Sequence, residues 1–97
     1  MKPPAAYMMA SRRNGTIYSG VTSDLVKRVW QHRTGVGDGF TKRYGCKILV
    51  WYELHSTMES AILREKQLKG GNRAKKLKLI EALNPEWRDM WDDIAHA

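Results

Sequence analysis

Cysteine, long apolar runs and acidic residues are scarce in this chain, and each scarcity removes a class of explanation. The single cysteine, Cys46, cannot close an internal disulfide or join the three histidines in a thiolate metal site. A small buried strand residue is its expected role. No apolar stretch approaches the ~20 residues a membrane-spanning helix needs, so no membrane association is expected. The chain opens Met1-Lys2-Pro3-Pro4 rather than on an apolar segment. No signal peptide is legible, and an intracellular protein, cytoplasmic or nucleoid-associated, is the expectation. Repeats, linkers and low-complexity segments are also missing. At 97 residues the chain supports one core, burying roughly two thirds of its unfolded surface. A single domain over 1–97 is therefore expected, with its core about 5–87, and a monomer is assumed.

What is present is positive charge, unevenly placed. The whole chain carries 17 basic and 10 acidic side chains, a net of +7. Residues 1–78 hold 16 basic against 5 acidic groups, net +11, and residues 79–97 hold one arginine against five carboxylates, net −4. A field of that sign attracts polyanions, of which nucleic acid is the commonest.

The pattern of residues predicts the order β-β-α-β-α-α-α. Ala5 to Arg12 and Thr16 to Thr22 read as two strands around Asn14-Gly15, a dipeptide that suits a two-residue hairpin turn. Thr22 or Ser23 can cap a helix that opens with Asp24, places apolar groups at Leu25, Val29 and Trp30 (i, i+4 and i+5), and runs to about Thr34. Residues 35–39 are a glycine-rich loop, and Cys46 to Leu54 a third, buried strand. Ser56 with Glu59 forms a capping box for a second helix, which stops at Gly70-Gly71. Asn72 caps a third helix with Leu77, Ile80 and Leu83 as its apolar stripe. A last helix, about 85–95, places Pro85 at its first position and buries Trp87, Met90, Trp91 and Ile94. The fold class is an α/β (α+β) sandwich, a three-stranded antiparallel sheet flanked by helices.

Within this frame the two-residue turn would set Tyr7 opposite Thr22 and put Tyr7 and Tyr18 on one sheet face. Their Cα atoms would then lie about 13 Å apart at ~3.3 Å per residue, unless a bulge shifts the register. Arg28 and His32 stand one turn apart on the first helix. Taken singly, each residue has a plain reading: the tyrosines as sheet residues, Arg28 and His32 as solvated helix residues. Glu65 reads as half of a surface ion pair with Lys69, Asn84 as a helix stop, and Trp87 as core.

Taken as an ordered set they resemble a known family. Tyr7, then Tyr18-x-Gly20, Leu25, Arg28, His32, a helical Glu65 and Asn84-Pro85-x-Trp87 are similar to the GIY-YIG nuclease domain. Gly39-Phe40-Thr41-x-Arg43-Tyr44 and Leu49 to Glu53 also resemble its small stand-alone members. The first triplet reads Ala5-Ala6-Tyr7, without its glycine, and the second Tyr18-Ser19-Gly20, with serine where isoleucine is usual.

The resemblance implies a metal-dependent endonuclease hydrolysing DNA phosphodiester bonds, structure-selective rather than sequence-specific, with a place in DNA repair or recombination. Glu65 would hold one Mg²⁺ or Mn²⁺, and Arg28 would contact the scissile phosphate. The general base is Tyr7, Tyr18 or His32; a phenol near pKa ~10 needs positive charge beside it to serve, whereas an imidazole does not. Gly20 would let a nucleic-acid backbone approach the sheet, and Asn84 would support the site or touch phosphate. Lys42, Arg43, Lys47, Lys69, Arg73, Lys75 and Lys76 would grip the backbone. Two other readings stand beside this one: a binding module of the same fold with weak or no turnover, and a protein-binding adaptor using an exposed tryptophan on the last helix.

Overall fold

Residues 2–36 and 43–95 are described by a computed structural model. The hairpin pairs strand β1 (Ala5–Ala10) with β2 (Ile17–Thr22), but its turn is wider than two residues. The Ser11 N–H reaches the Thr16 carbonyl at 3.0 Å and the Gly15 N–H reaches that of Arg12 at 2.9 Å, which leaves Arg12 to Gly15 as the loop. Only Asn14 takes a positive φ, at 59°; a four-residue loop needs one such residue where a tight primed turn needs two. The correction moves the register by two, so Tyr7 faces Gly20 and Met9 faces Tyr18. A shift by two preserves which face each side chain takes. It also makes Tyr7 and Tyr18 diagonal neighbours, removing the 13 Å separation.

Helix α1 (Leu25–Thr34) follows, then strand β3 (Ile48–Leu54), which pairs antiparallel with β1 on its other side. The sheet order is β2-β1-β3. A bulge between Met8 and Met9 sets Met8 against Trp51 and Met9 against Leu49. Val50 and Trp51, though adjacent, consequently join the same core layer. Helices α2 (Met58–Gly70), α3 (Arg73–Leu83) and α4 (Trp91–Ala95) complete the chain. The expected element order and antiparallel α+β fold are present.

All six residues of β1 are buried, because this central strand is covered on both faces. Ala5, Tyr7 and Met9 meet Leu25 and Val29 of α1, with Met90 and Ile94. Ala6, Met8 and Ala10 meet Leu68 of α2, Ile80 of α3 and Trp87.

Several local expectations change. Asp24 is itself the cap of α1, its carboxylate accepting from the Lys27 N–H, and this bond holds its pKa below the usual carboxylate value against the upward pull of burial. Of the three apolar positions on α1, Leu25 and Val29 are buried and Trp30 is exposed. Thr57, not Ser56, caps α2 and accepts from the Ser60 N–H, so Glu59 closes no capping box but still sits in the first turn, where its charge suits the helix dipole. Asn72 caps α3 as expected, although Leu83 is exposed. Cys46 precedes β3 rather than lying in it; it is buried, and burial pushes its thiol pKa up.

No helix begins at Pro85. The Asn84 amide group donates to the Val50 and Arg88 carbonyls while its oxygen accepts from the Arg88 N–H. Trp87 takes a φ of 56° in the turn so formed. The Met90 N–H then donates to the Leu49 carbonyl, and the Asp89 carboxylate accepts from the Leu49 N–H. This segment thus satisfies the backbone of β3 beside its bulge, and helix resumes only at Trp91.

Candidate active site

The α1 sequence decides where its histidine goes. Leu25, Val29 and His32 fall at i, i+4 and i+7, so the imidazole continues the apolar stripe and is carried into the core, where it is 1% exposed. A buried imidazole requires a partner. It has one: the Tyr7 hydroxyl lies 2.8 Å from His32 Nε2. Tyr18 joins them, its ring centroid 6.3 Å from that of Tyr7 and 5.3 Å from that of His32.

Arg28, one turn before His32, brings its guanidinium to the same two phenols. Burial lowers its pKa, but the hydrogen bond and charge interaction with Tyr7, followed by those with Tyr18, outweigh burial and leave it above the ordinary arginine value. Gln31 holds it from the side, accepting from Arg28 Nη1 at 3.1 Å. Gln31 escaped the sequence reading; the i, i+3 spacing of two polar groups was the available signal.

Gly20 has a role other than the one expected. A Cβ there would lie 2.6 Å from both Cζ and Oη of Tyr7. The missing side chain is therefore filled by the tyrosine ring, not by an approaching nucleic-acid backbone. Hairpin register, a glycine and one helix face thus converge Tyr7, Tyr18, Arg28 and His32.

Glu65 arrives from the other layer. Ala61, Glu65 and Leu68 fall at i, i+4 and i+7 on α2, so the carboxylate belongs to the face that packs on β2 and β1. Its side chain is 15% exposed and pairs with Lys69 Nζ at 3.4 Å. Among the described residues, no three His, Cys, Asp or Glu side chains converge as a metal-ligand group. A lone carboxylate fits a hard cation that keeps most of its shell for water and phosphate, as Mg²⁺ commonly does.

The residues expected to bind nucleic acid are scattered. Lys42 lies outside the described residues. Arg73 donates to the Asn14 and Gly15 carbonyls and so fastens the hairpin loop. Lys75 and Lys76 line a groove of about 450 Å³ with Arg64 and Gln67. Arg43 stacks on Tyr44, and Lys47 borders a second groove. Asn84 is consumed by the backbone bonds described above, which makes it a support of the chain turn after α3.

The family described as the GIY-YIG catalytic domain matches residues 4–78. The chain belongs to the GIY-YIG family. A UPF0213 protein of Staphylococcus saprophyticus is 38% identical over 68 residues, 70% of this chain and 83% of that one. UPF0213 proteins of Staphylococcus haemolyticus and Staphylococcus aureus are 33% and 37% identical over 69 and 68 residues, covering 71% and 70% of this chain and 84% and 83% of their own. No solved structure matches. GIY-YIG domains are nuclease domains, which makes nucleic acid the substrate class and a divalent ion the general cofactor class. The GIY-YIG match covers every member of the tyrosine cluster and Glu65 but stops before Asn84. Among the described residues no helix is long and apolar enough to cross a membrane.

Proposed function

We propose that this chain is a metal-dependent DNA endonuclease whose water-activating group is the Tyr7–His32 pair. The observation that carries the reading is the buried 2.8 Å hydrogen bond between Tyr7 Oη and His32 Nε2, with Arg28 against the same phenol. A phenol of ordinary pKa ~10 is a poor base at neutral pH unless its own proton has somewhere to go. Here it passes to His32: the phenolic oxygen takes a proton from water as the phenol proton moves to Nε2. The hydroxide so formed attacks phosphorus, and the bond to the 3′ oxygen breaks. Tyr18, against both rings, orients the pair. The Arg28 guanidinium serves two ends, favouring negative charge on the phenol and neutralising charge that develops on the phosphate. Lysine would be a poor replacement.

Glu65 would hold the divalent ion, Mg²⁺ or Mn²⁺, which when bound polarises the phosphoryl oxygens and stabilises the departing oxygen. A phosphate lodged at the β2 edge would meet Arg28 from one sheet face and Glu65 from the other. Lys69 would release the carboxylate as the cation arrives. Arg43, Lys47, Lys75 and Lys76 would supply phosphate contacts, and no helix among the described residues is patterned for reading base edges, so selection by DNA structure, as in repair or recombination, is the reading favoured.

The test is cleavage of labelled branched, nicked and single-stranded DNA with Mg²⁺ or Mn²⁺, beside Glu65→Ala, Arg28→Ala and a chelator control. The nuclease reading expects cutting that all three controls abolish. Cutting by the wild type no faster than by Glu65→Ala on every substrate would reduce the protein to a binding module of this fold.

A further inference from the structure

The groove beside the outer face of α1 is the feature that the catalytic reading leaves unused. Trp30 is 51% exposed on α1, and a tryptophan that keeps half its surface in water gives up burial energy that most tryptophans gain. It borders a groove of about 530 Å³ with Arg33, Lys47 and Trp91. Its floor is interlocked: Arg33 stacks on the Trp91 ring at 5.1 Å and forms an ion pair with Asp89. Asp89 is itself fixed by the Leu49 and Trp91 N–H groups. Lys47 is exposed at the rim and makes no ion pair among the described residues.

A groove with a half-exposed indole and a lysine with no ion pair among the described residues at its rim combines the two features that hold single-stranded nucleic acid: a flat face for any base and positive charge for its phosphate. An intact duplex offers no free base face to Trp30, because its bases are stacked on each other. Trp30 also sits between Arg28 and His32 in sequence, ~3 Å along the helix axis from each and across the helix from the tyrosine cluster. From this we propose that Trp30 stacks on an unpaired base of the substrate, with Lys47 on the adjoining phosphate, so that strands with unpaired nucleotides about one helix diameter from the cut are preferred. The proposal rests on the nuclease reading and names a determinant of its substrate choice.

The experiment measures fluorescence anisotropy of a labelled duplex carrying a single-stranded flap, and of the same duplex without the flap, with a chelator present so that nothing is cut. The wild type binds the flap more tightly. Trp30→Ala weakens flap binding about ten-fold while duplex binding stays within about two-fold, as loss of one stacked base predicts. Trp30→Phe retains most of the preference, since it keeps a ring, and thermal melting of both variants verifies that they fold. Equal loss on both substrates, or no loss on the flap, overturns the stacking site while leaving nucleic-acid binding intact. Failure of the wild type to bind either DNA at low salt overturns the proposal together with the nucleic-acid reading beneath it.

Discussion

The two faces of β1 are one residue out of step in sequence and do different work. Ala6, Met8 and Ala10 meet an apolar layer in which Leu68, Ile80 and Trp87 close over the sheet. Ala5 and Met9 meet a similar layer under α1, but between them Tyr7 directs a hydroxyl at a buried imidazole. Most side chains on both faces are buried, so a polar group on either must find most of its partners inside the protein. The tyrosine face achieves this with a hydrogen bond that is also a path for a proton. On the other face the β1 side chains Ala6, Met8 and Ala10 carry no polar group and contribute packing. A small domain has only about 5–15 kcal/mol of net stability, so an apolar layer of this kind offsets the burial of a polar one. The contrast makes an opposite forecast for each layer: substitutions around Tyr7 and His32 should remove chemistry before stability, and substitutions in the apolar layer around Ile80 stability before chemistry.

The largest effect is expected from Tyr7→Phe. It deletes one oxygen and should slow single-turnover cleavage by about 10²–10⁴-fold, the span of a lost acid–base group. The variant should also lose about 1–3 kcal/mol in urea unfolding, since His32 Nε2 is left buried with its partner gone. A rate within ten-fold of wild type would transfer the base to Tyr18 or to His32 alone and break the contrast.

Ile80→Ala probes the other face. Ile80 is fully buried in the apolar layer, and its truncation should cost about 2–5 kcal/mol in the same urea titration. Measured at a temperature where the variant is folded, the cleavage rate should match wild type. A matched loss of rate would show that the apolar face shapes the site as well as stabilising it.

Gly20→Ala tests how the faces are kept apart. Its Cβ would stand 2.6 Å from the end of the Tyr7 ring, so the ring must move, at about 1–3 kcal/mol for a crowded methyl group. Gly20 is outside the left-handed region of φ, so no backbone strain confuses the result. Cleavage should fall with stability here, whereas Ile80→Ala separates them.

Much of this was legible in the sequence, for reasons that vary by residue. Strand parity alone places Tyr7 and Tyr18 on one face, and parity survives the register error because the shift is by two. The distance between them was not legible, since it depends on loop length, and Asn14-Gly15 suits a tight turn as well as the wider one formed. His32 was open to a solvated reading until the i, i+4, i+7 stripe with Leu25 and Val29 was extended to include it. The chain after Asn84 misled for a different reason. Pro85 and the spacing of Trp87, Met90, Trp91 and Ile94 favour a helix locally, but the backbone of Leu49 beside a bulge that sequence does not announce binds Asp89 and Met90 instead. Trp30 fits the apolar spacing of α1 by residue type, and its exposure is a property of what packs nearby.

The smallest expected effect comes from the one polar side chain of β2 that sits on the apolar face. Ser19 lies opposite Met8 in the register, is buried, and its Oγ has no hydrogen-bond partner among the described residues. A buried hydroxyl in that position forfeits its hydration and gains no bond in return, so removing the oxygen removes a penalty. Ser19→Ala should therefore stabilise the protein by about 1 kcal/mol, raising the midpoint of thermal unfolding by about 4–8 °C for a domain of this size. Cleavage should not change, because Tyr18 and Gly20 on either side direct their side positions to the opposite face. The sign of the effect is the informative part. Stabilisation would mark the apolar face as a dry layer that tolerates one misplaced hydroxyl, whereas destabilisation would mean that Ser19 has a bonded partner and that this face carries polar structure of its own.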